Sequence, residues 1–273
     1  MAKIAQEYTQ KEILNFLKNP SANSDFGLAV QMGYVKGVSF NNKFGRNPAT
    51  ATGDCIWQNS TAYASPTAGK YNFASTSADD DGSPAGVGAH VLFISGINPN
   101  YDEVSEYLTL NGMTNVLTSN EYIGFNRAYV YSASTESGAV GTITGTHELG
   151  VPVLCTISPG INQTQSSVFI VPRGKTAFFN LPQVTVQNTG VNNTIHIALI
   201  RKDFGGVFRI QNDSLFLSDS GGNYQHKSFG APLIFPSMCT IFYKCITAAA
   251  SYDVVVDYDI WLVDNKLLKN GRK

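Results

Sequence analysis

The chain has 273 residues, of which 14% are charged, against about 25% in an ordinary soluble protein. Its 19 Lys+Arg and 20 Asp+Glu leave a net charge of −1, which excludes a chain held open by self-repulsion and one whose main work is gripping phosphates with clustered cations. With 43% hydrophobic and 11% aromatic residues it can bury a real core, and at about 150 residues per domain the length suggests two domains.

The start, Met1 to Glu7, lacks the apolar run of a signal peptide, and no apolar stretch approaches the ~18 residues that span a bilayer. Thr9 and Glu12 form a capping box ahead of an apolar stripe of Ile13, Leu14, Phe16 and Leu17, and Pro20 ends the pattern. This spacing predicts a short helix that is unstable alone in water. Its stripe is therefore the candidate partner-binding face, to be buried on the chain's own β-structure or in a neighbouring subunit.

From about Val35 onward the pattern is β: short runs of Val, Ile, Phe, Tyr and Thr, punctuated by Gly, Pro, Asn and Asp. Ala89–Ser95 and Val104–Leu110 read as a hairpin joined by the turn chemistry of Gly96–Asp102, and Asn111-Gly112 opens another turn. Further strands are predicted at Ala128–Tyr131, Val140–Thr144, Ser167–Val171, Ala177–Leu181, Thr194–Ile200 and Val207–Ile210. In the last strand, Val254–Leu262, the even positions Val254, Val256, Tyr258, Ile260 and Leu262 form one apolar face, with Asp257 and Asp259 on the other.

Strands without intervening helices exclude a parallel βαβ sheet. The expected fold is all-β: antiparallel, jelly-roll-like β-sandwich domains, two in series, with a short N-terminal helical arm. The expected division is an arm and linker at 1–37, sandwiches at 38–148 and 149–265, and a basic tail at 266–273. That tail, with Lys266, Lys269, Arg272 and Lys273, reads as a solvated end, and Arg201-Lys202 is the one other basic cluster.

Candidate chemistry is sparse. Cys55, Cys155, Cys239 and Cys245 form no C-x-x-C pair and read as buried free thiols. Asp219-Ser220-Gly221-Gly222 resembles the nucleophile region of trypsin-like proteases, but none of His90, His147, His196 and His226 stands in the matching context. Gly174-Lys175-Thr176 ends like a phosphate-binding loop, yet Phe169 stands where its first glycine belongs. Asp79-Asp80-Asp81-Gly82 offers oxygens for calcium without the rest of an EF-hand loop and reads first as a solvated acidic turn. Asp257 and Asp259 share a face as glycosidase carboxylates would, with no cleft signature beside them. Asn59, Asn162, Asn192 and Asn212 open glycosylation sequons in polar loops. Tyr63, Tyr71, Tyr101, Tyr122 and Tyr224 lie in or beside polar stretches, where exposed rings can stack on sugars or partners. No catalytic residue, metal or cofactor is expected.

One succession of segments is distinctive. Val38–Pro48 leads into Asp54–Trp57, then Ser75–Asp81, Gly86–His90, Ile94–Asn98, Glu106–Gly112, Phe125–Tyr129 and Val140–Ile143. Over roughly residues 38–146 it resembles a group of structural proteins of tailed bacteriophages. The resemblance implies a non-enzymatic virion component, made in the host bacterial cytoplasm. Its partners would be copies of itself and other virion proteins (major capsid, neck or tail), with no nucleic acid and no membrane. The leading expectation is an oligomeric capsid decoration or fibre-type protein. The alternatives are a neck or tail adaptor that holds fibres, and a carbohydrate-binding host-attachment module.

Overall fold

The structure, a computed structural model, describes residues 24–134, 136–187, 193–218, 223–226 and 231–268. The helix predicted after Thr9, with Ile13, Leu14, Phe16 and Leu17, lies outside the described residues, as do Ser220 and most of the basic tail. A helix that the sequence reading does not anticipate, α1 (Ser24–Gln31), precedes the first strand. Gly33, at φ 73°, closes it: the Gly33 amide donates to Val30 and the Tyr34 amide to Ala29, both at 2.9 Å. This is the left-handed glycine stop of a Schellman motif.

Among the described residues the strands form four antiparallel sheets. The first runs β1 (Val38–Thr50), β16 (Tyr252–Asp264) and β10 (Lys175–Gln187), with β13 (Asn223–His226) and β14 (Leu233–Phe235) both on the far side of β10. The second runs β12 (Arg209–Ser218), β11 (Asn193–Lys202), β15 (Thr240–Ala248) and β9 (Phe169–Ile170). The third runs β5 (Val116–Leu117), β2 (Tyr71–Ser75), β7 (Ile143–His147) and β8 (Val153–Ile157). The fourth is β4 (Glu103–Thr109), β3 (Ala89–Ile97) and β6 (Gly124–Ala133).

The all-β, antiparallel class is the one expected. The sheets are arranged as a four-membered, propeller-like ring rather than as two sandwiches set in series. The pairing explains this. β1, near the start, is hydrogen-bonded along its length to β16, near the end, and β8 completes the sheet begun by β2 and β7.

One core cluster joins the first two sheets through Phe179, Val184, Val256, Tyr258 and Ile260 on one side and Ile195, Ile197, Leu199 and Tyr243 on the other. A second joins the third and fourth sheets through Tyr71, Phe73, Leu92, Ile94, Phe125 and Ile157, and it also takes in Ala198, Ile200 and Phe242. The Ile197–Ile200 stretch of β11 is thus buried on both faces, which is why it reads as an unbroken apolar run. A third, smaller cluster seats α1 on the outer face of the first sheet, Val30 packing with Val35, Phe178 and Val263.

Ser167 ties the Ile56 segment to the first two sheets. Its amide donates to Ile56 (3.0 Å), its hydroxyl accepts from the Tyr243 amide (3.1 Å), and its carbonyl accepts the Tyr258 hydroxyl (2.6 Å). Gly45 of β1 passes so close that a Cβ there would lie 2.4 Å from the Ile56 carbonyl oxygen and 2.5 Å from the Ser167 nitrogen.

Candidate functional site

Most chemically suggestive residues are committed to the fold. Asp80 is fully buried and its carboxylate accepts the Ser75 hydroxyl (2.5 Å) and the amides of Ala89 (2.9 Å), Val140 (2.9 Å) and Gly141 (2.8 Å). Burial alone raises its pKa, but these four donors outweigh it and hold the carboxyl below its ordinary value. The solvated acidic turn expected at Asp79–Asp81 is thus corrected at its middle residue. With its oxygens taken by N–H and O–H groups, Asp80 has no free face to share a calcium ion with its neighbours. The same contacts delay the strand expected from Val140, which begins only at Ile143.

Gly174-Lys175-Thr176 runs into β10, with Lys175 3.8 Å from Asp264 and the Thr176 hydroxyl donating to Asn265. Asp257 and Asp259 do share the outer face of β16, where the Asn42 amide donates to both, at 2.7 and 3.2 Å. His196 faces Asp213 at 3.3 Å, and the His90 ring nitrogen sits 2.8 Å from the Gly86 carbonyl. All four cysteines are free and buried, and desolvation pushes Cys155 and Cys239 up to about 12 and Cys245 to about 11. The His90 ring nitrogen also lies 3.0 Å from the Ser134 hydroxyl.

The loop tyrosines need correction. Tyr71 and Tyr122 are fully buried, edge-on and tilted against Phe125 at centroid distances of 4.9 and 4.8 Å, and the Tyr122 hydroxyl donates to Glu106 at 2.8 Å. Tyr63 is buried between Trp57 and Phe242. Tyr101, at φ 64° on the hairpin tip, packs edge-on to Phe204 at 5.4 Å, and the side chain of Tyr224 lies outside the described residues. Polar neighbours mislead here because period-two alternation sends Asn72 outward between the inward Tyr71 and Phe73.

The solvent-facing aromatics are others. On the outer face of the fourth sheet, Tyr131, Tyr107, Phe93 and Tyr129 form a chain of ring contacts at 4.7, 5.3 and 5.1 Å. Phe93 and Tyr107 are direct cross-strand partners, and Tyr107 and Tyr131 are 60% and 58% exposed. The signal was present in the hairpin: Phe93 and Tyr107 occupy positions that alternate with the buried Leu92, Ile94 and Leu108.

The stripe runs into a cavity of about 180 Å³ between β1 and the fourth sheet, lined among others by Lys43, Phe44, Phe93, Ser95, Glu103 and Arg127. Lys43 is 8% exposed, and its ammonium donates to the backbone carbonyl of Asn126. Burial, and then the neighbouring Arg127 guanidinium, bring its pKa down to about 7. Arg127 lies over the Phe44 ring at 6.0 Å and donates to the Gln163 side chain at 3.0 Å.

No family model matches the chain, and no curated protein sequence does. Among solved structures it is similar to infectious bursal disease virus Gt strain, at 9% identity and TM-score 0.22, covering 83% of this chain and 72% of that one. The Gx strain of the same virus gives 8% and 0.21 over the same shares. The VP2 subviral particle of that virus gives 10% and 0.17, covering 94% of this chain and 88% of that one. Likeness of this degree carries no functional argument.

Proposed function

We propose that the chain is a non-enzymatic, oligomeric structural component of a phage virion, attached to the particle as a capsid decoration or fibre-type protein. The observation that carries this reading is what the residues of the phage-like succession do. Ser75, Asp80, Ala89, Val140 and Gly141 meet at one buried carboxylate. Around it the Gly88 amide donates to Asp79, the Gly112 amide to Asp80 and the Ser75 amide to Gly112. The motif is an architectural knot joining segments far apart in sequence. The segments that carry the resemblance build a scaffold here, which suits a chain selected for stability and repeated surfaces.

Self-association is supported by β12, which lies at the edge of the second sheet among the described residues and carries Ile210 and Leu215, 51% and 68% exposed. An edge strand with exposed apolar side chains is a template for pairing with another copy. The partners are further copies and other virion proteins.

Immunogold labelling of intact particles with an antibody to this chain tests the reading. Gold over the head supports decoration or head fibres, and gold confined to the head–tail junction or tail moves the role to a fibre-holding adaptor. Unlabelled particles, with the epitope shown accessible, overturn both. Deleting residues 1–20 tests whether Ile13, Leu14, Phe16 and Leu17 anchor the chain: the truncated protein folds but does not join particles.

A further inference from the structure

The cavity between β1 and the fourth sheet brings together features that packing alone does not require. Lys43, one of its lining residues, is more than nine-tenths buried, its ammonium meets the Asn126 carbonyl, and among the described residues no carboxylate forms an ion pair with it. Burying an ammonium without a counter-charge is costly. Arg127, a second cation, lines the same space, against one carboxylate, Glu103. The cavity is therefore complementary to an anionic group of modest size. Phe93 belongs both to its wall and to the aromatic stripe, which continues through Tyr107 to Tyr131 on solvent-exposed surface. Cross-strand aromatic pairing stabilises a sheet, which accounts for the Phe93–Tyr107 contact but not for the buried cation lining the cavity. An apolar platform adjoining a few convergent polar groups is the composition of a small-molecule site. Aromatic faces suit the C–H face of a sugar ring, and a guanidinium fork suits a carboxylate.

We propose that this groove binds a saccharide bearing a carboxylate, of uronic-acid type, with the carboxylate held between Lys43 and Arg127 and the sugar rings laid along Phe93, Tyr107 and Tyr131. This function is additional to the virion role and does not depend on it.

The test is calorimetric titration of the full chain with trigalacturonic acid and with maltotriose as its uncharged counterpart. Trigalacturonate binds with a Kd below about 1 mM, and maltotriose binds at least about tenfold more weakly. Arg127→Gln weakens trigalacturonate by about tenfold or more and leaves maltotriose unchanged, whereas Tyr107→Ser weakens both. Both side chains are exposed, and circular dichroism with a thermal midpoint near that of the wild type verifies folding. The proposal is overturned by no heat from either sugar at millimolar concentration, by trigalacturonate binding that neither substitution alters, or by equal affinity for inorganic phosphate and trigalacturonate. Sedimentation showing a self-associated species that Tyr107→Ser dissolves also overturns it, since the face is then a protein interface.

Discussion

The Ser75 hydroxyl donates to the Asp80 carboxylate at 2.5 Å, and the same carboxylate binds amides from two other segments, at Ala89 and at Val140-Gly141. Asp80→Asn keeps the shape but turns one acceptor into a donor facing donors, so it costs about 3 kcal/mol at pH 7. The sign of the pH effect follows from a folded-state pKa held below the ordinary 3.8. The wild-type advantage is complete above the unfolded value and shrinks as pH falls through the folded one. Urea midpoints of both proteins at neutral and acid pH check this; a gap that does not narrow in acid refutes it.

Lys43 also gains with rising pH, but for the opposite reason: burial disfavours its charged form. Its folded pKa of about 7 lies below the ordinary lysine value of 10.5, so the unfolded chain binds the extra proton between those values. Its contribution to stability therefore rises with pH there, by up to about 1.4 kcal/mol per pH unit. Buried thiols and tyrosines oppose this at alkaline pH, and the difference between wild type and Lys43→Met isolates the lysine. Lys43→Met is at least as stable as wild type at pH 6 and loses ground as pH rises to 9. A difference independent of pH in thermal melts contradicts the burial.

These two charges show what is and is not legible in the chain. The β3–β4 hairpin and the alternation of β16 are visible because period two and turn residues are local signals, and the Ile197–Ile200 stretch of β11 is visible because it is buried on both faces. α1 is not, since eight residues with Gly27 inside hold helical form through docking on Val35, Phe178 and Val263 rather than through propensity. Nor is the ring, which depends on β1 meeting β16 more than two hundred residues later. The groove is hidden for the same reason: Lys43 sits in the polar run Asn41-Asn42-Lys43, and only the fold sets it against Arg127 and Phe93.

The close passage of Gly45 gives a steric prediction. Gly45→Ala drives a methyl into the Ile56 carbonyl and the Ser167 amide, backbone atoms that cannot rotate away. The cost is about 3 kcal/mol, at the upper end for overpacking. Gly53→Ala is the control: Gly53 has a φ of 94° but nothing within 4 Å of a new Cβ, so its cost is the backbone strain alone, about 1–2 kcal/mol. Chemical denaturation of the two variants ranks them. An equal loss contradicts the close contact of Gly45 with Ile56 and Ser167.

The thiols report on the integrity of both main cores. Cys155 belongs to the cluster of the third and fourth sheets, Cys239 and Cys245 to that of the first two, and Cys55 sits beside the Ser167 hydroxyl at 3.8 Å. Desolvation raises all four pKa values, so at pH 8 the thiolate fraction is small and the sulfur atoms are out of reach of an aromatic disulfide reagent. The native chain accordingly releases almost no chromophore over minutes, and the chain unfolded in guanidinium releases it from all four cysteines. Reaction in the native state tracks opening of the cores, so Asp80→Asn and Gly45→Ala accelerate it in proportion to their loss of stability where opening is in rapid equilibrium. A native chain whose cysteines react at the unfolded rate has no such cores.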